Sequence, residues 1–486
     1  MQKIQLLYEI DKLDNIYDLF ALCCSYIFWE IPKKPYDFQA FDDRKYEEVD
    51  DFIIEYMMDR ENQGEFFAFD VLKENIKNFF GTKVDIEKCF AIVQFIDERI
   101  ECEICDGFVK KQNIIQYESL SDRYYNKVRI IPRLKQSFIE TGNLLYKQKT
   151  KDNYNLFRDT HEYPCSELDK TTVNYTICDE EFINKYPFCI HRLTEKHPIS
   201  IHFKERKKIV IAIFPFTKVK IENLLEVCLE KKVFHVKDMS DSVKECLSYR
   251  YASIYKKCIG KDIDFLIFPE MLISESFLNQ VKIQQGAPQI IINGSIWENL
   301  SNKSIITDGN MKEIFSYFKK ESFVHKIDGK SYKEHLDTTK NKNYELLEIP
   351  EIGRVGVCIC KDLISEVVKR FHKSLGTSLL IVPAHTASND LQSSARNLSE
   401  EFNCVVVVAN SCSSISSKNN FQKGIGFLTL PAKNTSSRTC LIKEYEKTEC
   451  VNNCEKECCG KIFSICFDKI EQYSEGMSFK VDEWTL

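Results

Sequence analysis

The 486-residue chain is without the marks of several protein classes. It has no basic excess: 67 Lys and Arg stand against 73 Asp and Glu, a net charge of −6, so nothing global points to nucleic acid. Local basic runs such as Glu205-Arg-Lys-Lys208 read as solvated flanks of strands or helices. The longest apolar run near the N-terminus, Leu19 to Trp29, is too short to span a bilayer and contains Ser25 and two cysteines. Met1 to Asp11 carries no signal-peptide pattern. There is no internal repeat. A disulfide framework is also missing: 21 cysteines are an odd number at irregular spacings, in a chain far longer than disulfide scaffolds. The expectation is a cytoplasmic protein with mostly free thiols, no membrane association and no clear nucleic-acid partner.

What is present suits a globular chain of two or three domains, with 43% hydrophobic and 29% charged residues. Residues 1–205 read as a mostly helical extension. Helices are expected over Asp11–Trp29, ended by Pro32; over Asp70–Phe80, with Asp70 as N-cap and Gly81 as stop; and over Asp85–Cys105. The stretch from about Lys147 to Lys207 reads as a connector. From residue 206 to the end the pattern becomes α/β. Strands are expected at Ile209–Phe214, Phe265–Phe268, Ile290–Ile292, Ile314–Phe318, Val355–Ile359, Ser378–Val382 and Cys404–Ala409, with helices at Val219–Lys231 and Asp241–Ile259. Turn signals at Asn299, Asn302 and Asp308-Gly309 suggest a mixed sheet.

Three strand ends carry chemistry. Val355–Ile359 stops abruptly at Cys360, followed by Lys361 and Asp362. A cysteine at such a turn can present its sulfur to a cleft, with the next backbone N–H placed to stabilise an anion. The same residue could be a small apolar side chain packed in the core. Phe265-Leu-Ile-Phe-Pro-Glu270 puts a carboxylate beyond a strand near apolar surroundings, which suits a general base as well as a plain surface glutamate. Tyr317-Phe-Lys-Lys320 ends a third strand, and Lys319 there is either a fixed cation or one more solvated lysine.

Taken together, the order Glu270, Lys319, Cys360 resembles the nitrilase, or carbon–nitrogen hydrolase, superfamily. Ile209–Phe214 is similar to its first strand, Asn293-Gly294 and the hairpin through Asn302-Lys-Ser-Ile-Ile306 to the segment leading to its lysine. Ile349-Pro-Glu-Ile-Gly-Arg-Val-Gly-Val-Cys-Ile-Cys-Lys-Asp362 is similar to its nucleophile signature. Val382-Pro-Ala384 and Arg396 to Asn410 resemble the family's segments C-terminal to that signature, so the likeness runs over roughly residues 208–440. It implies an αββα sandwich and a Glu-Lys-Cys triad: Cys360 as nucleophile, Glu270 as proton acceptor, Lys319 as oxyanion partner helped by the Lys361 N–H. The implied reaction is hydrolysis of a small amide or nitrile through a thioester, with no cofactor, in a homodimer or higher homo-oligomer. Glu334 matches a second glutamate of the family; Lys320 is an alternative cation. Cys358, in the same signature, is set aside as the less favoured of the two thiols.

The nucleophile's flanks depart from the family: Lys361 replaces an aromatic residue and Leu363-Ile-Ser-Glu-Val-Val368 an Arg and Pro-Glu segment. Lys361 suits an anionic substrate; His385, just past a strand end, lines the pocket or caps its loop. A catalytically inactive binding or scaffold protein, with the extension recruiting a protein partner, and an amine-accepting acyltransferase are the rival readings. An activated Cys360 should alkylate ahead of the other thiols and slow on replacement of Glu270. Cys440, Cys450, Cys454, Cys458, Cys459 and Cys466 crowd the C-terminal region without the usual paired spacing for zinc, as does Cys102-Glu-Ile-Cys105 without a second pair, and no metal site is assigned. His161, His191, His197 and His202 show no ligand spacing and receive no role.

Overall fold

In a computed structural model of the chain, the described residues are 3–30, 42–81, 84–100, 185–194, 196–204, 206–216, 225–236, 239–278, 281, 285–327, 329–338, 343–386, 390–402, 404–412, 424–434, 437–446 and 459–486. Between 101 and 184 they are 108–111, 114–118, 124–125, 128–132, 172 and 175–179. The chain divides into two units: Met1–Val109 with Tyr117–Glu140 and Lys147–Pro187, and Phe188–Leu486 with Lys110–Gln116 and Thr141–Tyr146. The strand Phe188–Leu193 and helix Pro198–Phe203, which precede the expected boundary at 205, fall in the second unit.

The first unit is built on helices Ile16–Glu30, Glu47–Gln63, Glu65–Phe80 and Ile86–Arg99, whose apolar faces share one core. Two expected helix starts are corrected. The first helix begins at Ile16 rather than Asp11, because the Asn15 side chain accepts from the N–H groups of Tyr17 and Asp18 at 3.0 Å. The second begins at Glu65, not Asp70. Gly64, at φ 95°, breaks the helical path just before it, and Asp70 lies in the helix interior. Gly81 does end that helix. Asp85 caps the next one by accepting from Lys88 N–H at 3.0 Å, and that helix stops at Arg99. Cys102, Cys105 and Pro32 lie outside the described residues, as do Cys450, Cys454 and Cys458 and most of the expected connector.

The second unit has two leaves. In one, the parallel strands Lys208–Ile213, Phe265–Ile267 and Ile290–Ile292 are flanked by antiparallel neighbours: Lys461–Tyr473 on one side, Ser301–Asp308 and then Glu313–Phe318 on the other. In the other leaf, Phe188–Leu193, Tyr344–Ile349, Gly353–Val357, Thr377–Ala384, Val405–Asn410 and Gly424–Asn434 pair in that order. The leaves join through the pairing of Lys433 with Met477. Their central strands are buried along their length, so they read as continuous apolar runs rather than alternating ones.

Helices cover both outer faces. Asp241–Cys258 packs Leu247, Tyr251 and Ile254 on Val210, Leu266 and Ile291 of the first leaf. Glu366–Ser374 lays Phe371 on Tyr344 at 4.3 Å and His372 over Gly356, where an added Cβ would meet His372 Cε1 at 2.6 Å. Between the leaves, His191 stacks on Phe315 at 5.1 Å. The architecture is therefore the expected helix–sheet–sheet–helix sandwich. One element differs from expectation. Within Val219–Lys231 the described residues form a strand, Leu225–Cys228, paired in a hairpin with Val233–Val236 and not a helix. Lys232, at φ 52°, makes the left-handed step of its turn. This hairpin forms a small separate sheet with Val324–Ile327 and Lys330–Glu334.

Candidate active site

The local sequence explains how each side chain reaches one place. Phe265–Ile267 runs into Pro269-Glu270, where Pro269 cannot donate to a ladder and ends it. Gly294, at φ 61°, leaves no room for a Cβ against the Pro269 carbonyl, so this glycine allows the two strand ends to touch. Glu313–Phe318 delivers Lys319, and Lys330–Glu334 delivers Glu334 at its last residue. The strand before Cys360, Gly353–Val357, ends two residues earlier than expected, and a 3-10 turn begins at Cys360. Cys360 sits at φ 48°, left-handed for a residue with a side chain, a conformation that costs about 1–3 kcal/mol and is often kept at functional turns.

The four side chains meet. Lys319 Nζ lies 2.7 Å from Glu270 Oε1 and 2.8 Å from Glu334 Oε2, with all three side chains no more than 1% exposed. The Cys360 thiol is hydrogen-bonded to the Glu270 carboxylate, and the His385 backbone N–H donates to its sulfur. Glu270 N–H donates to Ala384 O at 3.3 Å, and the His385 ring bonds the Glu270 carbonyl. His385 thus contacts both Glu270 and Cys360. Burial pushes its imidazole down to about 4, so it stays neutral.

Sequence reasoning gave no role to two residues that hold this cluster. Asn302 Nδ2 donates to Glu270 Oε1 at 2.9 Å and Glu334 Oε1 at 3.3 Å, while its backbone carbonyl accepts from Lys319 N–H at 2.9 Å. Asp362 accepts from Lys320 N–H (3.0 Å), Glu321 N–H (2.8 Å), Ile359 N–H (3.2 Å) and Tyr317 Oη (3.0 Å). One carboxylate therefore ties the turn that presents Cys360 to the backbone just after Lys319. Burial raises its pKa to about 7, against the Lys319 charge and the N–H donors that lower it. Glu334 is further held by Trp297 Nε1 at 3.3 Å and Phe323 N–H at 3.0 Å.

The electrostatics arise from two buried carboxylates sharing one ammonium. Burial raises the Glu270 pKa above the ordinary carboxylate value; Lys319 opposes that and Glu334 adds to it. Burial alone favours a neutral Lys319, but the two carboxylates outweigh it and hold the ammonium well above its usual pKa. Burial and Glu270 push the Cys360 thiol well up as well. At rest the cluster is therefore a protonated thiol beside a carboxylate of raised basicity and a fixed cation. Burial and the neighbouring Glu270 carboxylate both favour the neutral form of the Cys360 thiol.

The remaining candidates lie differently. Lys320 turns away: its Nζ donates to Asn343 O at 2.7 Å and lies over the Tyr317 and Tyr344 rings at 5.4 and 5.1 Å. Burial pushes it down to about 8. Lys361 is half-buried, and among the described residues no hydrogen bond or ion pair joins its side chain to the cluster. Cys358 is a fully buried thiol pushed well up by burial. Cys440 lies buried in the strand Ser437–Glu446, and Cys466 is half-buried in Lys461–Tyr473.

No family model matches the sequence, and no curated protein matches it. Among solved structures, Nit3 of Saccharomyces cerevisiae, a member of branch 10 of the nitrilase superfamily, is 16% identical, covering 50% of this chain and 91% of that one (TM-score 0.30). An amidase from Nesterenkonia sp. is 12% identical, covering 49% and 90% (TM-score 0.31). This chain is similar in structure to nitrilase-superfamily proteins. A glutamine-dependent NAD+ synthetase from Acinetobacter baumannii is 12% identical, covering 57% of this chain and 45% of that one (TM-score 0.32). Among the described residues no helix is long and apolar enough to cross a membrane.

Proposed function

We propose that the second unit hydrolyses a non-peptide carbon–nitrogen bond of a small amide or nitrile, with Cys360 as nucleophile. The observation that carries this reading is the buried contact set of Cys360, Glu270, Lys319 and Glu334. A neutral thiol bonded to a carboxylate of raised basicity is arranged for attack with proton transfer in the same step.

For an amide, Cys360 Sγ bonds to the carbonyl carbon as its proton passes to Glu270. The carbonyl π pair moves to oxygen, where the Lys319 ammonium and the Lys361 backbone N–H stabilise the oxyanion. Glu270 returns the proton to the leaving nitrogen, the C–N bond breaks, and ammonia or an amine leaves a thioester. Water then attacks the thioester as Glu270 takes its proton. The second intermediate collapses to a carboxylic acid, and Cys360 regains its proton. Glu334 keeps Lys319 charged and oriented throughout, and Asn302 fixes both carboxylates. No step calls for a cofactor.

The test is ammonia release from a panel of small aliphatic, aromatic and carboxylated amides and nitriles by wild type and Cys360→Ala, with peptide mass spectrometry of the trapped acyl adduct. Release that disappears in the variant, with an adduct on Cys360, supports the reading. Release that survives Cys360→Ala, or an empty panel with no adduct, overturns it.

A further inference from the structure

We propose that Cys189, His191 and Glu345 of the second unit bind one divalent transition-metal ion of the zinc class. Their donor atoms lie within 4.8 Å of one another, and all three residues are buried. None of the three belongs to the Cys360 cluster, and the set rests on backbone register rather than on chance approach. Phe188–Leu193 and Tyr344–Ile349 pair in parallel with Glu345 opposite Cys189. His191 lies two residues on from Cys189, so all three side chains share one strand face. Arg192 and Glu348, paired at 2.8 Å, belong to the alternate face, with Arg354 beside them at 3.5 Å. The register thus sorts the arginines away from the Cys-His-Glu set.

The donors suit zinc. A thiolate, an imidazole and a carboxylate are its ordinary ligands, and three protein ligands leave a fourth position for water. Zn–N and Zn–O bonds of about 2.0–2.2 Å and a Zn–S bond of about 2.3 Å set donor separations of roughly 3.3–3.8 Å in a tetrahedral site. The widest separation here is within 4.8 Å, and the His191 Nε2 to Glu345 Oε2 distance is 2.8 Å. Side-chain shifts of up to about an ångström would complete the geometry. The His191 ring is already oriented by its stack on Phe315, at an interplanar angle of 13°. Binding releases the Cys189 proton and replaces the His191–Glu345 hydrogen bond with two metal bonds. The ion would clip the Phe188–Leu193 strand to its neighbour. The linear sequence conceals such a site, because Glu345 is 154 residues from His191.

The test uses the full chain, stripped with a chelator and titrated with Co²⁺ under reducing, oxygen-free conditions. One equivalent of Co²⁺ should give tetrahedral visible bands and a sulfur-to-cobalt charge-transfer band, both abolished by Zn²⁺. Cys189→Ser should remove the charge-transfer band. Glu345→Gln, which keeps a hydrogen-bonding partner for His191, should weaken Co²⁺ binding by at least about tenfold. A variant with serine at Cys450, Cys454, Cys458 and Cys459 should keep the full spectrum. The proposal is overturned if wild type takes up no Co²⁺, if the band survives Cys189→Ser, or if only the C-terminal variant loses it. Should Cys189→Ser fail to fold by circular dichroism, an unchanged Co²⁺ affinity in Glu345→Gln is sufficient to overturn it.

Discussion

The two units bury different things. Among the described residues, the polar or charged side chains buried in the first unit are Ser25, Asp97, Thr172 and Thr176, set in a core of leucine, isoleucine and aromatic residues. The second unit buries Arg192, Asp264, Glu270, Lys319, Glu334, Glu345, Glu348, Arg354, Asp362 and Lys461. Removing a charge from water is costly unless it is paired and hydrogen-bonded, so charge accumulates inside a fold only where geometry compensates it. Within the second unit the two kinds of pairing differ. Two arginines flank Glu348, and Arg354 also donates to Leu375 O at 2.7 Å, so that set has two cations for one carboxylate. The strand-end set instead has two carboxylates for one ammonium, with a thiol bonded to one of them. The two sets therefore carry opposite charge balances, two cations for one carboxylate against two carboxylates for one ammonium.

The contrast can be broken by substitution, starting where the effect should be largest. Cys360→Ala should lower turnover by on the order of 10³-fold or more, with an unchanged circular dichroism spectrum. Glu270→Gln should cost about 10²–10⁴-fold. In wild type, kcat/KM should rise with pH as Glu270 loses its proton, through a midpoint above the ordinary carboxylate range because its pKa is raised. That acid limb should vanish in the variant. The raised Lys319 pKa places loss of its charge beyond the neutral range, so no fall near neutrality is expected from it.

Lys319→Met should destabilise the second unit by about 3–5 kcal/mol in denaturant titrations, because it leaves two buried carboxylates without a cation. The penalty should shrink as pH falls and those carboxylates protonate. Denaturation equally costly at low and neutral pH would show that the ammonium does not compensate them. Asp362→Asn should reduce kcat by about tenfold with little change in KM, since Asp362 positions the nucleophile turn without touching substrate. Its raised pKa of about 7 also has a stability signature. The folded state holds the proton more tightly than the unfolded chain, so this contribution is full below the unfolded carboxylate pKa and is lost as pH rises through about 7. Asp362→Asn should remove that slope. Phe66→Ser, at an 81% exposed position of the first unit, should change stability by no more than about 0.5 kcal/mol.

Much of this was legible in the linear chain. Glu270, Lys319 and Cys360 each come just after a short apolar run that a strand would bury, and each run does end in the same cluster. The roles of Asn302 and Asp362 were not legible, because each works through hydrogen bonds to groups distant along the chain, such as Asn302 to Glu270 and Asp362 to Tyr317. The Leu225–Cys228 strand was mistaken for a helix because a short apolar run fits either period, and the hairpin partner decided the outcome. Asp70 looked like a cap by residue type alone; backbone freedom at Gly64 set the start instead.

By itself the sequence determined the elements and their chemical endings: apolar runs long enough for buried strands, a proline and glycines that halt them, and a carboxylate, an ammonium and a thiol placed just beyond. These are local properties, written in side-chain type and spacing. Only the tertiary structure decided which endings meet, which protonation states result and which strand faces coincide. Proximity across 49 residues from Glu270 to Lys319, or 154 from His191 to Glu345, is set by sheet register and layer packing. The pKa values depend on burial, which exists only once the two leaves have closed over the charges.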